Sequence, residues 1–272
     1  MPAVVDRWGR GIPVRPPLKW AGGKRWLVPY LAELWNAHQH RRLVEPFCGG
    51  LGVALNLRPE RAFLNDINRH AVHFYSWLKH GFKVEEEIEF ANREALYYEH
   101  RRRFNQLISC GGAESAEAAA LFYYLNRTCY NGLCRFNSSG LFNVPFGRYK
   151  RINYIRDFTS YSEIVRNWQF STGDFEQIPV ATDDFLYADP PYDVEFRSYS
   201  KEGFSWEDQV RLAEWLSRHP GPTVLSNQAT GRILGLYTKL GFKLRITDAP
   251  RMINCTGDRS PAKEVVATRG IE

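Results

Sequence analysis

The residues Asp189-Pro190-Pro191-Tyr192 follow directly on an apolar run, Phe185-Leu186-Tyr187-Ala188. A carboxylate beside a proline-fixed carbonyl can accept both hydrogens of an amine. That arrangement suits an exocyclic amine whose lone pair is delocalised into a purine ring. Hydrogen bonds to Asp189 and to the carbonyl of Pro190 would pull the nitrogen toward sp³ and aim its lone pair at a methyl sulfonium. Pro190 and Pro191 fix their own φ, and Pro191 holds Pro190 extended. Tyr192 offers a face on which an extruded base can stack, worth about 1–3 kcal/mol per base in single-strand binders. In-line transfer of this kind needs no covalent enzyme intermediate, no metal and no strong base, because the product ammonium loses its proton readily. Without company the same four residues would be a proline-terminated strand and a core tyrosine.

A second constellation is Glu45-Pro46-Phe47-Cys48-Gly49-Gly50-Leu51-Gly52, again after a short apolar run. Gly49 and Gly50 allow close approach of backbone to a ligand, and Asp66, closing the next apolar run, can accept ribose hydroxyls. The spacing is not GxGxxG and no GxxxxGK[ST] is present, so a pyrophosphate or triphosphate is disfavoured and a nucleoside with a compact tail is favoured. Upstream, Pro17-Leu-Lys-Trp-Ala-Gly-Gly-Lys24 carries Trp20, a face for a sulfonium methyl, and Lys24, a partner for a carboxylate. Taken alone, either segment is a tight turn or a loop over a buried Trp.

Residues 125–149 crowd Asn, Gly, Ser and aromatics with Arg135 and Arg148. Arg135 could read a guanine edge through two hydrogen bonds, and Tyr130 with Asn131 could fill the gap left by an extruded base. The basic run Arg101-Arg102-Arg103 is expected to be a solvated helix face, with phosphate contact the sharper alternative. His70, His73 and His100 are expected on helix surfaces.

These residues need elements to hold them. The strand, Gly-rich turn, helix and second strand over 42–66 make a β-α-β half of a doubly wound sheet, which puts ligands at the carboxyl ends of its strands. Periodicity predicts helices over 24–38, 206–218 and 230–240, strands at 168–172, 184–188, 223–226, 242–247 and 264–268, a mostly helical stretch over 70–127 and an extended loop or hairpin over 128–150. The chain of 272 residues, 44% hydrophobic and 14% aromatic, can bury one sizeable core. We expect an N-terminal arm (1–16), a catalytic domain (17–69 and 161–272) and a target-recognition insertion (70–160). Its 36 Lys and Arg against 30 Asp and Glu, a formal +6, favour a polyanionic partner without demanding one. No secretory signal and no apolar run of membrane length is present, so a cytoplasmic location and no membrane partner are expected. Five Cys without a CxxC pair or a His cluster argue against disulfides and zinc.

In order along the chain, Leu-Lys-Trp-Ala-Gly-Gly-Lys at 18–24, Val-Glu-Pro-Phe at 44–47, Asn-Asp-Ile-Asn at 65–68, Asn-Gly-Leu-Cys-Arg-Phe-Asn at 131–137 and Asp-Pro-Pro-Tyr at 189–192 resemble the Dam family of DNA adenine methyltransferases, the D12 class. The resemblance spans roughly 16–268. It implies a Rossmann-like mixed sheet, as in class I S-adenosylmethionine-dependent methyltransferases, with a helical target-recognition insertion and a DNA-contacting hairpin. It also implies N6 methylation of an adenine flipped from double-stranded DNA, with S-adenosylmethionine as the methyl donor. By resemblance Trp20, Lys24, Phe47, Asp66 and Asp189 are cofactor contacts, and Asp174-Phe175 is similar to the position that holds the cofactor's adenine. Lys19, Tyr130, Asn131, Leu133, Arg135 and Pro145 look like residues that reach DNA bases in members reading GATC. Since Arg135, Pro145 and Tyr149 keep the family's spacing, GATC is the expected target. Leu141 and Ser138-Ser139 depart from the family, which is often acidic or polar at the first and basic at the second, and so point to different phosphate contacts. The segment 251–266 resembles the family's closing loop and final strand. Family members come from bacteria and phages, associate with the nucleoid, and can have a restriction endonuclease as functional partner. The alternatives are methylation of RNA adenine or of a protein amide, the latter disfavoured by Asp rather than Asn at 189, and a DNA-binding regulator with a dead cofactor pocket.

Overall fold

The computed structural model describes residues 14–193, 203–249 and 262–271. Most of the expected N-terminal arm, and residues 251–261 of the segment expected to close the fold, lie outside the described residues.

The sheet has seven strands: β1 (Leu43–Glu45), β2 (Ala62–Asp66), β3 (Trp168–Thr172), β4 (Phe185–Ala188), β5 (Thr223–Gln228), β6 (Lys243–Ala249) and β7 (Ala262–Arg269), in the order β3-β2-β1-β4-β5-β7-β6. β1 pairs parallel with β2 (Val44 opposite Phe63) and with β4 (Val44 opposite Leu186), and β4 pairs parallel with β5. β7 runs antiparallel between β5 and β6. This is the Rossmann-like mixed sheet expected of the sequence. β1 and β4 are buried at every residue, as strands covered on both faces must be, and they are apolar except for Glu45 at the carboxyl end of β1. The parallel arrangement sends the chain after β1, β2, β4 and β5 out at the same edge.

The chain divides into two compact units. One takes Trp26–Cys48, Pro59–Ile67 and the described residues from Gly173 on. In it, Val44, Leu186, Ala188, Leu225, Val265 and Ala267 of the sheet pack with Leu212 and Leu216 of helix α7 (Trp206–Ser217) and Ile233 and Tyr237 of α8 (Gly231–Lys239). α7 starts at a reciprocal cap between Ser205 and Asp208, and α8 at Thr230, whose hydroxyl takes the Ile233 N–H. Helix α1 (Val28–Asn36) begins four residues later than periodicity predicts. Pro29 sits in its first turn, where a missing N–H costs nothing, and the preceding residues form turns.

The other unit takes the described residues up to Arg25, with Gly49–Arg58 and Asn68–Thr172. It holds α2 (Ala54–Leu57), α3 (Arg69–Leu78), α4 (Glu94–Ser109), α5 (Ala116–Thr128) and α6 (Thr159–Val165). Its core is aromatic: Phe74 stacks on Tyr123 at 5.1 Å, and Phe158 meets both edge-on. His70 and His100, expected on helix surfaces, are buried instead. His70 stacks on Phe136 and lies against Phe104, and His100 bonds the carbonyl of Glu89 at 2.8 Å. Their flat rings fill aromatic layers, which overrides polarity as a guide to the exposed face.

Candidate active site

In the sheet-bearing unit, Asp189 leaves the carboxyl end of β4. The hydroxyl of Ser226, on the neighbouring β5, donates to Asp189 Oδ1 at 2.9 Å. Tyr187, buried two residues before Asp189, bonds the same serine oxygen at 3.1 Å. Pro190 is buried, and the carbonyl of Pro191 accepts a hydrogen bond from Gln209 Nε2 at 2.8 Å. Gln209 in turn accepts from Asn227 Nδ2 at 2.9 Å, and Asn227 also donates to Tyr237 at 3.0 Å. The tetrapeptide is therefore held by its side chain and by its backbone. Tyr192 keeps its ring half-buried and gives its hydroxyl to Glu264, while Asp193 is clasped by Arg232. Burial, reinforced by the Glu264 carboxylate, pushes the Tyr192 phenol far up, so it stays neutral.

Beside this edge, Asp66 ends β2 as a buried residue. Its neighbour Asn65 donates to the carbonyls of Pro46 (3.1 Å) and Gly173 (3.0 Å), tying the turn after β1 to the turn before Asp174. Phe47 projects after β1 and packs on Phe175 at 5.8 Å and edge-on to Phe204 at 5.4 Å. Asp174 caps the turn that follows by accepting the Glu176 N–H and pairs with Arg211 at 2.8 Å. The Arg211 guanidinium also covers the ring of Phe175, which is 3% exposed. Cys48 is buried, and burial together with the Asp66 and Glu45 carboxylates holds its thiol well above the usual range. That excludes it as a ready nucleophile.

The other unit contains Trp20, Lys24, Gly49 and Gly50. The indole of Trp20 lies on the two glycines: a Cβ on Gly49 would stand 2.7 Å from Trp20 Nε1, and one on Gly50 would stand 2.8 Å from Trp20 Cβ. The tight approach that glycine permits here is thus to a side chain of the protein. Tyr75 donates to the Gly49 carbonyl at 2.6 Å. Lys24 is buried, with Nζ donating to the Gly22 carbonyl at 3.2 Å.

The same unit carries the loop 129–149. Bridges Cys129–Phe146 and Phe136–Phe142 make it hairpin-like, with Asn137 accepting the N–H groups of Ser139 and Leu141 at its tip. Asn105 of α4 clamps Phe142 through N–H and carbonyl, at 2.8 and 3.0 Å. Tyr130 is 53% and Leu133 38% exposed, and Asn131, Arg135 and Pro145 are exposed with them. The N–H of Tyr130 bonds the Pro145 carbonyl at 2.8 Å, and Arg135 Nε donates to Asn143 Oδ1 at 2.8 Å. Asn131 and Gly132 both have positive φ, and the side chain of Lys19 fills the space where a Cβ at Gly132 would be. Lys19 is tied to Asn126 through its backbone, gives Nζ to the Arg127 carbonyl at 3.0 Å and lies 3.8 Å over the Tyr149 ring. Burial, then the Arg127 charge, lowers its pKa to about 8.

Of the basic run, Arg103 makes a two-bond pair with Glu117 (2.6 and 2.7 Å), Arg101 donates to the Val144 carbonyl at 3.1 Å, and Arg102 is exposed. Asn68, read only as part of a motif, caps α3 by accepting the His70 and Ala71 N–H groups and donates to Cys134 Sγ. Sequence reasoning missed Ser226, Asn227 and Gln209. The available signal was a Ser-Asn pair directly after the apolar Val224-Leu225. Among the described residues, no three His, Cys, Asp or Glu side chains converge as metal ligands would, and no helix is long and apolar enough to cross a membrane.

Comparison with known proteins adds a second line of observation. A family profile described as D12 class N6 adenine-specific DNA methyltransferase matches residues 20–252. The chain is 34% identical over 278 residues to the Type II methyltransferase M.MjaIII of Methanocaldococcus jannaschii, covering 90% of this chain and 95% of that protein. It is 33% identical over 265 residues to the retron Ec67 DNA adenine methylase of Escherichia coli (93% and 90% covered), and 33% identical over 271 residues to the DNA adenine methylase of Escherichia coli K12 (92% and 93% covered).

Proposed function

This chain belongs to the D12 class of N6 adenine-specific DNA methyltransferases, and from that premise we propose that it carries the methyl group of S-adenosylmethionine to N6 of an adenine flipped out of a GATC site in duplex DNA.

The observation that carries the reading is Asp189 at the carboxyl end of a central parallel strand, its carboxylate bonded by Ser226 and its following prolines fixed by burial and by Gln209. Such a group accepts an amine hydrogen in a set direction, and the adjacent Pro190 carbonyl is the second acceptor. Preorganised acceptors of this kind stabilise charge that develops on the nitrogen during transfer. Tyr192, neutral and anchored through its hydroxyl, supplies a face for the extruded adenine.

The chemistry of the side chains along the same edge fits a nucleoside methyl donor. Asp66 can accept ribose hydroxyls, and Phe47 and Phe175 offer apolar contact to a base, with Asp174 beside them as an acceptor. When bound, S-adenosylmethionine supplies an electrophilic methyl on a positively charged sulfur. The carboxylates of Asp66 and Asp189 orient and hold; neither forms a covalent bond.

Recognition is assigned to the stretch 70–160, and within it to Tyr130, Asn131, Leu133, Arg135 and Pro145, together with Lys19. The exposure of the first five on one hairpin-like loop is what a base-reading surface requires, and Lys19 packs under that loop at Gly132. The test is transfer of tritiated methyl from S-adenosylmethionine to unmethylated duplex DNA, followed by single-molecule sequencing for N6-methyladenine. Methylation confined to GATC is the expected result. Methylation at another motif would keep the chemistry and overturn the reading of Arg135 and its loop; no transfer from this donor would overturn the reading of the donor site.

A further inference from the structure

We infer that Ser226, with Tyr187 behind it, is the positioning device that sets the rotamer of the Asp189 carboxylate for methyl transfer; the inference rests on the catalytic reading of Asp189.

A carboxylate one methylene from the backbone can turn about χ2, and a turned carboxylate presents its lone pairs to the wrong place. The Ser226 hydroxyl holds a single proton and donates it to Asp189 Oδ1 at 2.9 Å. The contact of Tyr187 with the same serine oxygen, at 3.1 Å, must then run the other way, with the phenol as donor. The result is a directed chain, Tyr187 to Ser226 to Asp189, in which each hydroxyl has one assigned proton and the carboxylate receives a charge-assisted bond.

The parts of this chain are rigid. Ser226 and Tyr187 are 0% and 3% exposed and sit on paired strands, β5 and β4, whose register sets Tyr187 opposite Val224. Burial and the nearby Asp189 charge keep the Tyr187 phenol far above its ordinary range, so it remains a donor at working pH. With Oδ1 held by Ser226, the carboxylate cannot turn about χ2 without breaking that bond. The next residue, Asn227, has its side chain on the opposite sheet face and reaches Gln209, which holds the Pro191 carbonyl. Adjacent residues of β5 therefore act on Asp189 directly and on Pro191 through Gln209. Nothing in the transfer step requires either hydroxyl to gain or lose a proton, which makes both positioning groups.

The experiment compares Ser226→Ala, Ser226→Thr, Tyr187→Phe and the Ser226→Ala/Tyr187→Phe double variant with Asp189→Ala, using full-length protein and GATC duplexes. Single-turnover rate, KM for DNA, the calorimetric Kd for S-adenosylmethionine and Tm are read for each. Misplacement of a reacting group by an ångström costs up to about a hundredfold. Ser226→Ala is therefore expected to slow single turnover about 10–100-fold with both affinities near wild type, and to lower Tm modestly because the buried Tyr187 hydroxyl loses its acceptor; Ser226→Thr is expected to recover most of the rate. Tyr187→Phe is expected to slow it several-fold. The double variant is expected to be no slower than Ser226→Ala, because Tyr187 acts only through the serine; independent structural losses would multiply instead. Wild-type rates in Ser226→Ala and Tyr187→Phe, alongside an inactive Asp189→Ala, would overturn the positioning role alone. Near wild-type turnover in folded Asp189→Ala would overturn the catalytic reading beneath it.

Discussion

Gly49 lies against the indole of Trp20 so closely that a Cβ added to it would stand 2.7 Å from Nε1 and 3.0 Å from Cδ1. Its φ of +46° adds a second demand for glycine. Gly49→Ala must move the indole as well as strain the backbone, and should lower stability by about 2–3 kcal/mol. Gly140 separates the two effects: its φ is +72°, but a methyl group added there would meet nothing within 4 Å. Gly140→Ala should cost about 1 kcal/mol. Urea midpoints check both values. In a Trp20→Ala background the cost of Gly49→Ala should fall to that of Gly140→Ala; equal costs in both backgrounds would remove Trp20 as the cause.

His70 gives a pH dependence with a definite sign. Burial, then the nearby Arg69 and His73, lowers its pKa from 6.5 to about 4, and its Nδ1 is buried without a hydrogen-bond partner among the described residues. Below pH 6.5 the unfolded chain takes up a proton that the folded chain refuses. The stability that His70 contributes is thus complete above that pH and is lost as the pH falls toward 4, by about 3 kcal/mol in all. Unfolding midpoints at pH 7.5, 6, 5 and 4.5 should decline more steeply for wild type than for His70→Gln. Parallel curves would place His70 outside the acid response.

Lys19, with its pKa lowered to about 8 by burial and Arg127, is mostly charged at pH 7 and mostly neutral at pH 9. If its ammonium meets DNA, affinity should weaken several-fold between pH 7 and pH 9, approaching tenfold per unit above the pKa for a single linked proton. Lys19→Met should bind more weakly at pH 7 and show a flatter profile, measured by fluorescence anisotropy at fixed salt. A profile unchanged by the substitution would restrict Lys19 to its structural bonds with Arg127 and Tyr149.

Arg103 supports a contrasting outcome. Both of its bonds to Glu117 occupy the edge that a phosphate would use, and the pair is exposed, where such bridges contribute little. Arg103→Ala should leave the slope of log affinity against log salt unchanged. A slope reduced by about one would show a released phosphate contact.

What the sequence disclosed divides along physical lines. The strands at 185–188 and 223–228 are legible because each carries a short apolar stretch, Phe185–Ala188 and Val224–Leu225, whereas 168–172 shows itself by Trp168 and Phe170 alternating with polar residues. The Asp189 turn is legible because it ends an apolar run and stands in the company of the Gly-rich turn and the upstream Trp20–Lys24 segment. The serine and asparagine behind it are not. Ser226 and Asn227 lie 37 and 38 positions from Asp189, and their significance exists only once β5 stands beside β4. His70 shows the opposite limit: polarity suggested a surface, and a stack of aromatic rings from α4, α5 and the 136–142 hairpin, none of them adjacent in sequence, decided otherwise. Likewise the glycines after β1 suggest room for a ligand, while Trp20, 29 positions before Gly49, occupies the approach they leave open.

Arg135 should govern target choice. Its Nε is held by Asn143 Oδ1 at 2.8 Å, which fixes the plane of the guanidinium while the side chain stays exposed. A fork held in this way can donate two parallel hydrogen bonds to the O6 and N7 of a guanine, a geometry that a lysine ammonium cannot reproduce. Arg135→Ala should therefore reduce discrimination for guanine at the first base of GATC by about 1–3 kcal/mol, and Arg135→Lys should lose nearly as much despite keeping the charge. The measurement is kcat/KM on duplexes that differ only at that base pair. Loss confined to the guanine-containing duplex, with the others unchanged, is the expected pattern. A uniform fall across all four would mean that Arg135 meets the backbone and that the guanine is read by another residue of the loop.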